Sequence, residues 1–280
     1  MSRWKNAAVL TVSTFTALAL TACGSDAGTP GESKQSSVLE QLASDLKGSL
    51  QKVVDKTDST DSVTMTMEGT AAGEKIKMRG ALDLRDPVKA EMTMEGPDGA
   101  PTTIRMIGAV VYVEVPEADR ADMDGKRWFK MDLGAAAAQA GMDFTKQLDD
   151  VDPTKQVKTL LATEGTTVVG EETVNGVATV HYTVTAPVTT YLGQIDADTR
   201  KTVEQELAKN GVKEIKIDLW VDEQYLPRRA HMVMGTMSDI KIDYTDYGKP
   251  VNIETPAASE TADFAEMLKG LQGLEGLPTS

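Results

Sequence analysis

Among 280 residues the chain has one cysteine, Cys23, two histidines, His181 and His231, and only 5 % Phe, Trp and Tyr. One cysteine permits no internal disulfide, so an exported domain of this length must be stable on its core alone. Two histidines more than a hundred positions beyond Cys23, with no Gly-x-Ser-x-Gly anywhere, leave a hydrolase triad or a cysteine-nucleophile site without its parts. They also leave a histidine metal centre short of convergent ligands, so both read as strand-surface or satisfied core residues. Basic residues are outnumbered, 29 against 43. Such a surface repels phosphate backbones and anionic headgroups, which excludes nucleic acid as a partner and electrostatic adhesion to a bilayer. Beyond the N-terminus no stretch approaches the roughly 18 apolar residues of a membrane-spanning helix.

The single cysteine has a context. Residues 1–6 carry Arg3 and Lys5 without an acidic residue, residues 7–20 form a fourteen-residue uncharged, largely apolar run, and Leu20-Thr21-Ala22-Cys23 follows. That is a signal peptide, residues 1–22, ending in the aliphatic, small, small, Cys pattern of a lipobox. Cleavage is expected to leave Cys23 as the N-terminus, carrying a diacylglyceryl group on its sulfur as a thioether, palmitate being the expected kind of acyl chain. Each buried methylene contributes about 0.8 kcal/mol, and two or more chains hold a soluble domain on a membrane. The expected location is the outer face of the cytoplasmic membrane. Residues 23–36, rich in Gly, Ser, Asp, Thr and Pro, cannot bury enough apolar surface to fold and form a tether spanning about 20 Å.

The folded domain is expected over residues 37–257. Ser37 and Glu40 form a capping box ahead of a stripe of Leu39, Leu42, Leu46, Leu50 and Val53. Glu40, Asp45 and Asp55 opposite this stripe favour packing against the domain over lying on lipid. From Ser62 the period becomes two: Val63, Met65, Met67; Ile76, Met78, Leu82, Leu84; Val88, Ala90, Met92, Met94; Ile104, Met106; Val111, Val113, Val115; then Trp128, Phe129, Met131. Alternation of this kind marks half-buried antiparallel strands, separated here by turn residues at Ala72-Gly73, Asp86-Pro87, Gly96-Pro97-Asp98-Gly99 and Gly108. Residues 135–138 read equally as a helical turn or a flexible segment.

A helical interruption carries Phe144, Leu148 and Val151, then Asp152-Pro153 opening a helix with Val157, Leu160 and Leu161 that stops at Gly165. Strands resume on either side of Asn175-Gly176, a strong hairpin signal. A polar helix over 198–209 precedes three more strands, through Ile215 to Val221, Ala230 to Met234, and Ile240 to Tyr244. Phe264, Met267, Leu268 and Leu271 suggest a short closing helix within residues 258–280. The fold class is α+β, with ten or eleven strands in one antiparallel sheet.

Two segments carry a resemblance. Ile217-Asp218-Leu219-Trp220-Val221-Asp222 followed by Leu226-Pro227-Arg228-Arg229, and the Asn175-Gly176 hairpin ending in His181-Tyr182-Thr183-Val184, resemble the LppX/LprA/LprF/LprG family of actinobacterial lipoproteins and, more distantly, LolA-like proteins. The resemblance implies a half-barrel: a curved sheet with helices across its concave side and an apolar cavity that takes the acyl chains of a lipid or lipoglycan. From the missing catalytic and ligand sets above, no enzyme activity, cofactor or metal is expected.

Nine of the 14 methionines fall in expected strands, and methionine conforms to irregular apolar guests. Met65, Met67, Met78, Met92, Met94, Met106, Met232 and Met234 are therefore candidate cavity-lining residues, with Met237 in the same group. Equally, they fill an ordinary core. The corresponding alternative function is a ligand-free module that holds an envelope protein partner or acts as a sensor. Residues 119–125 look like a calcium loop but break the required spacing at Arg120 and place Met131 where a bidentate glutamate belongs, so they read as a solvated loop.

Overall fold

A computed structural model describes residues 37–95, 100–135, 154–193 and 197–266. The lipobox and tether, the turn at 96–99, the segment 141–151, the Asp152-Pro153 cap and the chain after residue 266 lie outside these. No helix among the described residues is long and apolar enough to cross a membrane.

The capping box forms as expected: the Ser37 hydroxyl accepts from the Glu40 amide at 3.1 Å and the Glu40 carboxylate accepts from the Ser37 amide at 2.9 Å. The helix it starts, α1 (Val38–Ser44), is shorter than the apolar stripe, which continues into a second helix, α2 (Leu46–Asp58). The break is at Asp45, which leaves helical geometry to accept the Gly48 amide at 3.0 Å and so caps the second helix. Leu39, Leu42, Leu50 and Val53 are buried across both pieces, so the stripe keeps its role.

Eleven strands follow the period-two segments: β1 (Ser62–Ala71), β2 (Glu74–Asp83), β3 (Lys89–Glu95), β4 (Pro101–Ile107), β5 (Val110–Glu114), β6 (Trp128–Asp132), β7 (Thr167–Val174), β8 (Val177–Pro187), β9 (Glu214–Asp222), β10 (Pro227–Met234) and β11 (Ser238–Thr245). A twelfth, β12 (Thr261–Asp263), extends the sheet past the boundary expected at residue 257. The order is β12-β6-β5-β4-β3-β2-β1-β11-β10-β9-β8-β7. Every neighbouring pair is antiparallel except β12 and β6. β1 pairs with β11 through eight residues, which joins the early meander to the late one.

The sheet is curved, and two glycines on one face of it allow the close approach. A Cβ at Gly69 would overlap the Asp239 carbonyl, and one at Gly80 would overlap the Glu91 carbonyl and the Met92 sulfur. On that same face α1, α2 and α3 (Thr154–Ala162) bury Leu42, Leu50, Val53, Val157 and Leu160 against Val180, Tyr182, Ile217 and Leu219 of β8 and β9. The Tyr182 hydroxyl donates to the Leu42 carbonyl at 2.8 Å and fastens α1 to the sheet. A smaller cluster of Leu192, Leu207 and Val212 joins α4 (Val188–Leu192) and α5 (Ala197–Lys209) beside Met234 and Met237.

Candidate functional site

Strand register puts all eight candidate methionines on one face. Reading across the sheet, Ile242, Met67, Met78 and Met94 stand opposite one another in turn on β11, β1, β2 and β3. A neighbouring row runs Tyr244, Met65, Gly80, Met92, Ile104, Val113, Phe129. A third runs Val63, Leu82, Ala90, Met106, Val111, Met131. Side chains two apart along a strand share a face, so three in-register rows make one continuous apolar band.

The band is not uniformly covered. Met65 is buried in the core beneath the helices. Met67, Met92, Met106 and Met232 are half-buried and packed against that core, and Met234 belongs to both clusters. Met78 and Met94 join neither cluster and keep part of their surface accessible, as do Ile104, Val113 and Phe129. Met237 lies in the turn between β10 and β11, outside any strand, and packs on the smaller cluster. One half of the face is thus sealed by helices, and the half over β2 to β6 is a shallow apolar surface.

At the turn end of the β1–β2 hairpin this surface borders a cavity of about 1370 Å³. Ile76, Met94, Ile104 and Val113 line it from the apolar face, while Glu68, Lys77, His231 and Lys241 line it from the opposite face. It is an open groove around the end of the sheet, with an apolar side and an ionic side. Its ionic side is largely self-paired: Lys77 to Glu95 at 2.8 Å, Lys241 to Glu68, and His231 to Asp239 at 2.7 Å. Lys75, at the rim, has no ion-pair partner among the described residues.

The motif residues behave differently. Asp222 accepts the Gln224 and Leu226 amides at 2.9 and 3.0 Å and the Arg228 guanidinium at 2.6 Å, which shapes the turn between β9 and β10. Asn175 at the β7–β8 turn donates to Asp243 at 3.1 Å, and Arg229 holds the same carboxylate. His181 is buried, stacked on Trp220 with ring centroids 4.1 Å apart, and bonded through Nδ1 to Glu172 at 3.0 Å and through Nε2 to Asp218 at 2.9 Å. These residues fix turns and strand pairs, and Gln224, Leu226 and Arg228 also line a second open cavity of about 490 Å³ with Lys56, Asp61 and Tyr247. Among the described residues no group of three His, Cys, Asp or Glu is placed to hold a metal.

Residues 119–125 fall largely in a 3₁₀ helix (Glu117–Met123), followed by Asp124 in the left-handed region. Arg120 there turns inward to the Val115 carbonyl at 3.1 Å. The residues at the groove that sequence reading passed over are Ile76, Ile104 and Val113. They lie in expected strands, and only register shows that they adjoin Met94.

The chain has relatives. Residues 88–253 match the model of the LppX_LprAFG lipoproteins. A Streptomyces griseus protein, described as an uncharacterized 31.2 kDa protein in the rplA-rplJ intergenic region, is 31 % identical over 244 residues, covering 82 % of this chain and 79 % of its own. Of solved structures, LprF from Mycobacterium bovis superposes with a TM-score of 0.51 at 16 % identity, over 76 % of this chain and 97 % of that one. LppX from Mycobacterium tuberculosis gives 0.49 at 15 % identity, over 75 % and 98 %. The likeness to LprF speaks to the fold alone; the family match over residues 88–253, more than half the chain, places this chain in the LppX_LprAFG lipoprotein family.

Proposed function

We propose that the chain is a lipid-anchored, extracytoplasmic carrier that takes the acyl chains of a lipid or lipoglycan against the apolar face of β2 to β6. The observation that carries this reading is the uneven cover of the band: helices seal it over β7 to β9, while Met78, Met94, Ile104, Val113 and Phe129 stay partly accessible. A face that served only as core would be close-packed along its whole length. Each acyl methylene moved onto it from water would gain about 0.8 kcal/mol, so recognition rests on burial and shape, with a headgroup left in water at the groove. Cys23 would supply the membrane attachment and residues 24–36 the reach.

Met78 and Met94 are the positions to fill, since Met92 already crosses over Gly80. In the Cys23→Ser chain, Met94→Trp and Met78→Trp should weaken binding of a fluorescent fatty acid at least about tenfold, or 1.4 kcal/mol, with the far-ultraviolet circular dichroism unchanged. Unchanged binding by both folded variants would remove the carrier from this face. The same Cys23→Ser chain should leave membranes at high salt, and its retention there would contradict the anchor.

A further inference from the structure

The methionines of the apolar face are unequally covered. Met65 is buried, and Met67, Met92, Met106, Met232 and Met234 pack against the core. The Met92 sulfur lies over Gly80, where a Cβ would overlap it. Met78 and Met94 join neither cluster, keep part of their surface accessible, and stand opposite one another on β2 and β3. Met131 on β6 and Met123 in the 3₁₀ segment are also outside both clusters. Met131 faces Val111 across the sheet, however, and Met123 lies in no strand. Among the described residues, Met78 and Met94 are therefore the pair of loosely packed thioethers set side by side.

Small solutes reach this pair. Met94 lines the open groove, as do Ile76 and Lys77 immediately before Met78. Beyond Met94 the row ends at Thr102 of β4, which lines the groove too. A peroxide arriving there can oxidise a thioether to a sulfoxide. The sulfur gives up two electrons and gains the S=O bond as the peroxide O–O bond breaks. The second peroxide oxygen takes the proton of the transferred one and leaves as water. A flexible apolar side chain thereby becomes a polar one, and methionine sulfoxide reductases reverse the change.

We infer that Met78 and Met94 form a paired, reversible oxidation site, and that their conversion to sulfoxides by a peroxide releases the acyl ligand from this face. The release rests on the carrier reading above; the selective oxidation does not. A sulfoxide oxygen is a strong hydrogen-bond acceptor, and acyl methylenes offer it no donor. Covering it with an acyl chain strips its water without replacement, which should weaken binding about tenfold. The converse also holds: a bound acyl chain covers both sulfurs and shields them from the oxidant.

In the Cys23→Ser chain methionine is the only sulfur-bearing residue, so peroxide chemistry reads out on methionine alone. That chain is treated with dilute hydrogen peroxide, quenched at intervals and mapped by peptide mass. Met78 and Met94 should become sulfoxides several-fold faster than Met65, Met92 and Met106, and oleate should slow both without slowing Met123. Once both are oxidised, affinity for a fluorescent fatty acid should fall about tenfold with the far-ultraviolet circular dichroism unchanged. Reductases for both sulfoxide epimers should restore it. Whatever its own starting affinity, the Met78→Leu/Met94→Leu chain should lose less than about twofold on the same treatment, while Met123→Leu should lose as much as its parent. Oxidation of Met65 or Met92 as fast as of Met78 and Met94 overturns the site. Selective oxidation of a chain whose affinity then stays the same, or an equal loss in the double leucine variant, overturns the release. Selective oxidation of a chain that binds no fatty acid in any form supports the site and overturns the carrier reading alone.

Discussion

His181 shows how much a single side chain can hold. It sits on β8, between Glu172 of β7 and Asp218 of β9, and Trp220 stacks on it while donating its indole N–H to Glu172 at 2.7 Å. Bonds from Trp220, then His181, lower the Glu172 carboxyl below its ordinary value. Burial opposes the charged form of Asp218, but bonds led by that of Lys216 lower it too. Both folded-state values are depressed, so both carboxylates stabilise the fold above the unfolded values of about 4, and that contribution is lost as the pH falls through the folded ones.

Glu172→Gln should therefore cost about 1 kcal/mol at pH 7, discounted because the side chain is nearly half exposed, and should flatten the fall in Tm between pH 5 and 3 relative to the parent. Asp83 and Asp243 are depressed as well, so the difference between variant and parent is the readout. An acid slope identical to the parent's would show that the bridge adds nothing. In the sequence His181 reads as a strand-surface or satisfied core residue, and it is the second. Its partners lie nine residues before it and 37 after it, and only the register of β7, β8 and β9 brings them together.

At the scale of elements, strands of five or more residues were legible and the three-residue β12 was not. Alternation locates β1 through β11 because each strand carries enough residues to show the period. β12 has three residues and pairs in parallel with β6, so it has neither alternation nor a hairpin turn to announce it. The stripe from Leu39 to Val53 reads as one helix because Leu42, Leu46 and Leu50 keep a spacing of four across the break at Asp45. The sign of the break is Asp45 with Gly48 three residues on: a Cβ at Gly48 would overlap the Asp45 carboxylate that caps it. Asp45→Ala removes that cap, and should lower stability by about 1 kcal/mol, read as a shift in the guanidinium midpoint at constant m. No shift would mean that packing of Leu42 and Leu50 alone sets the bend.

The described strands form one open sheet whose two halves are differently covered. The half from β7 to β11 is completed by helices and by the polar bridges on its other face. The half from β2 to β6 keeps part of its methionine-bearing face accessible. After β11 the chain returns across the side opposite the methionines: Ser62 donates to the Lys249 carbonyl at 2.6 Å, Arg105 to that of Glu254 at 3.1 Å, and Lys126 to that of Ser259 at 2.8 Å. Ile253 is buried along the way, and Arg105 lies 4.7 Å over the ring of Trp128. This return carries the chain to the β6 edge, where β12 and Phe264 follow, and it supports β3 to β6 from behind. The methionines were visible in the sequence as a set. Which of them remain accessible was not, because alternation assigns a face to each strand and says nothing of what packs on it.

The carrier reading stands on that accessible face, and one measurement addresses it directly. The mature domain without Cys23, secreted by an actinobacterial host and purified without detergent, is weighed intact by native mass spectrometry. A discrete added mass that is lost on organic extraction and absent from the Met94→Trp protein is the predicted result. A bare polypeptide mass that stays bare after incubation with envelope lipids, from a chain shown to be folded, would contradict it.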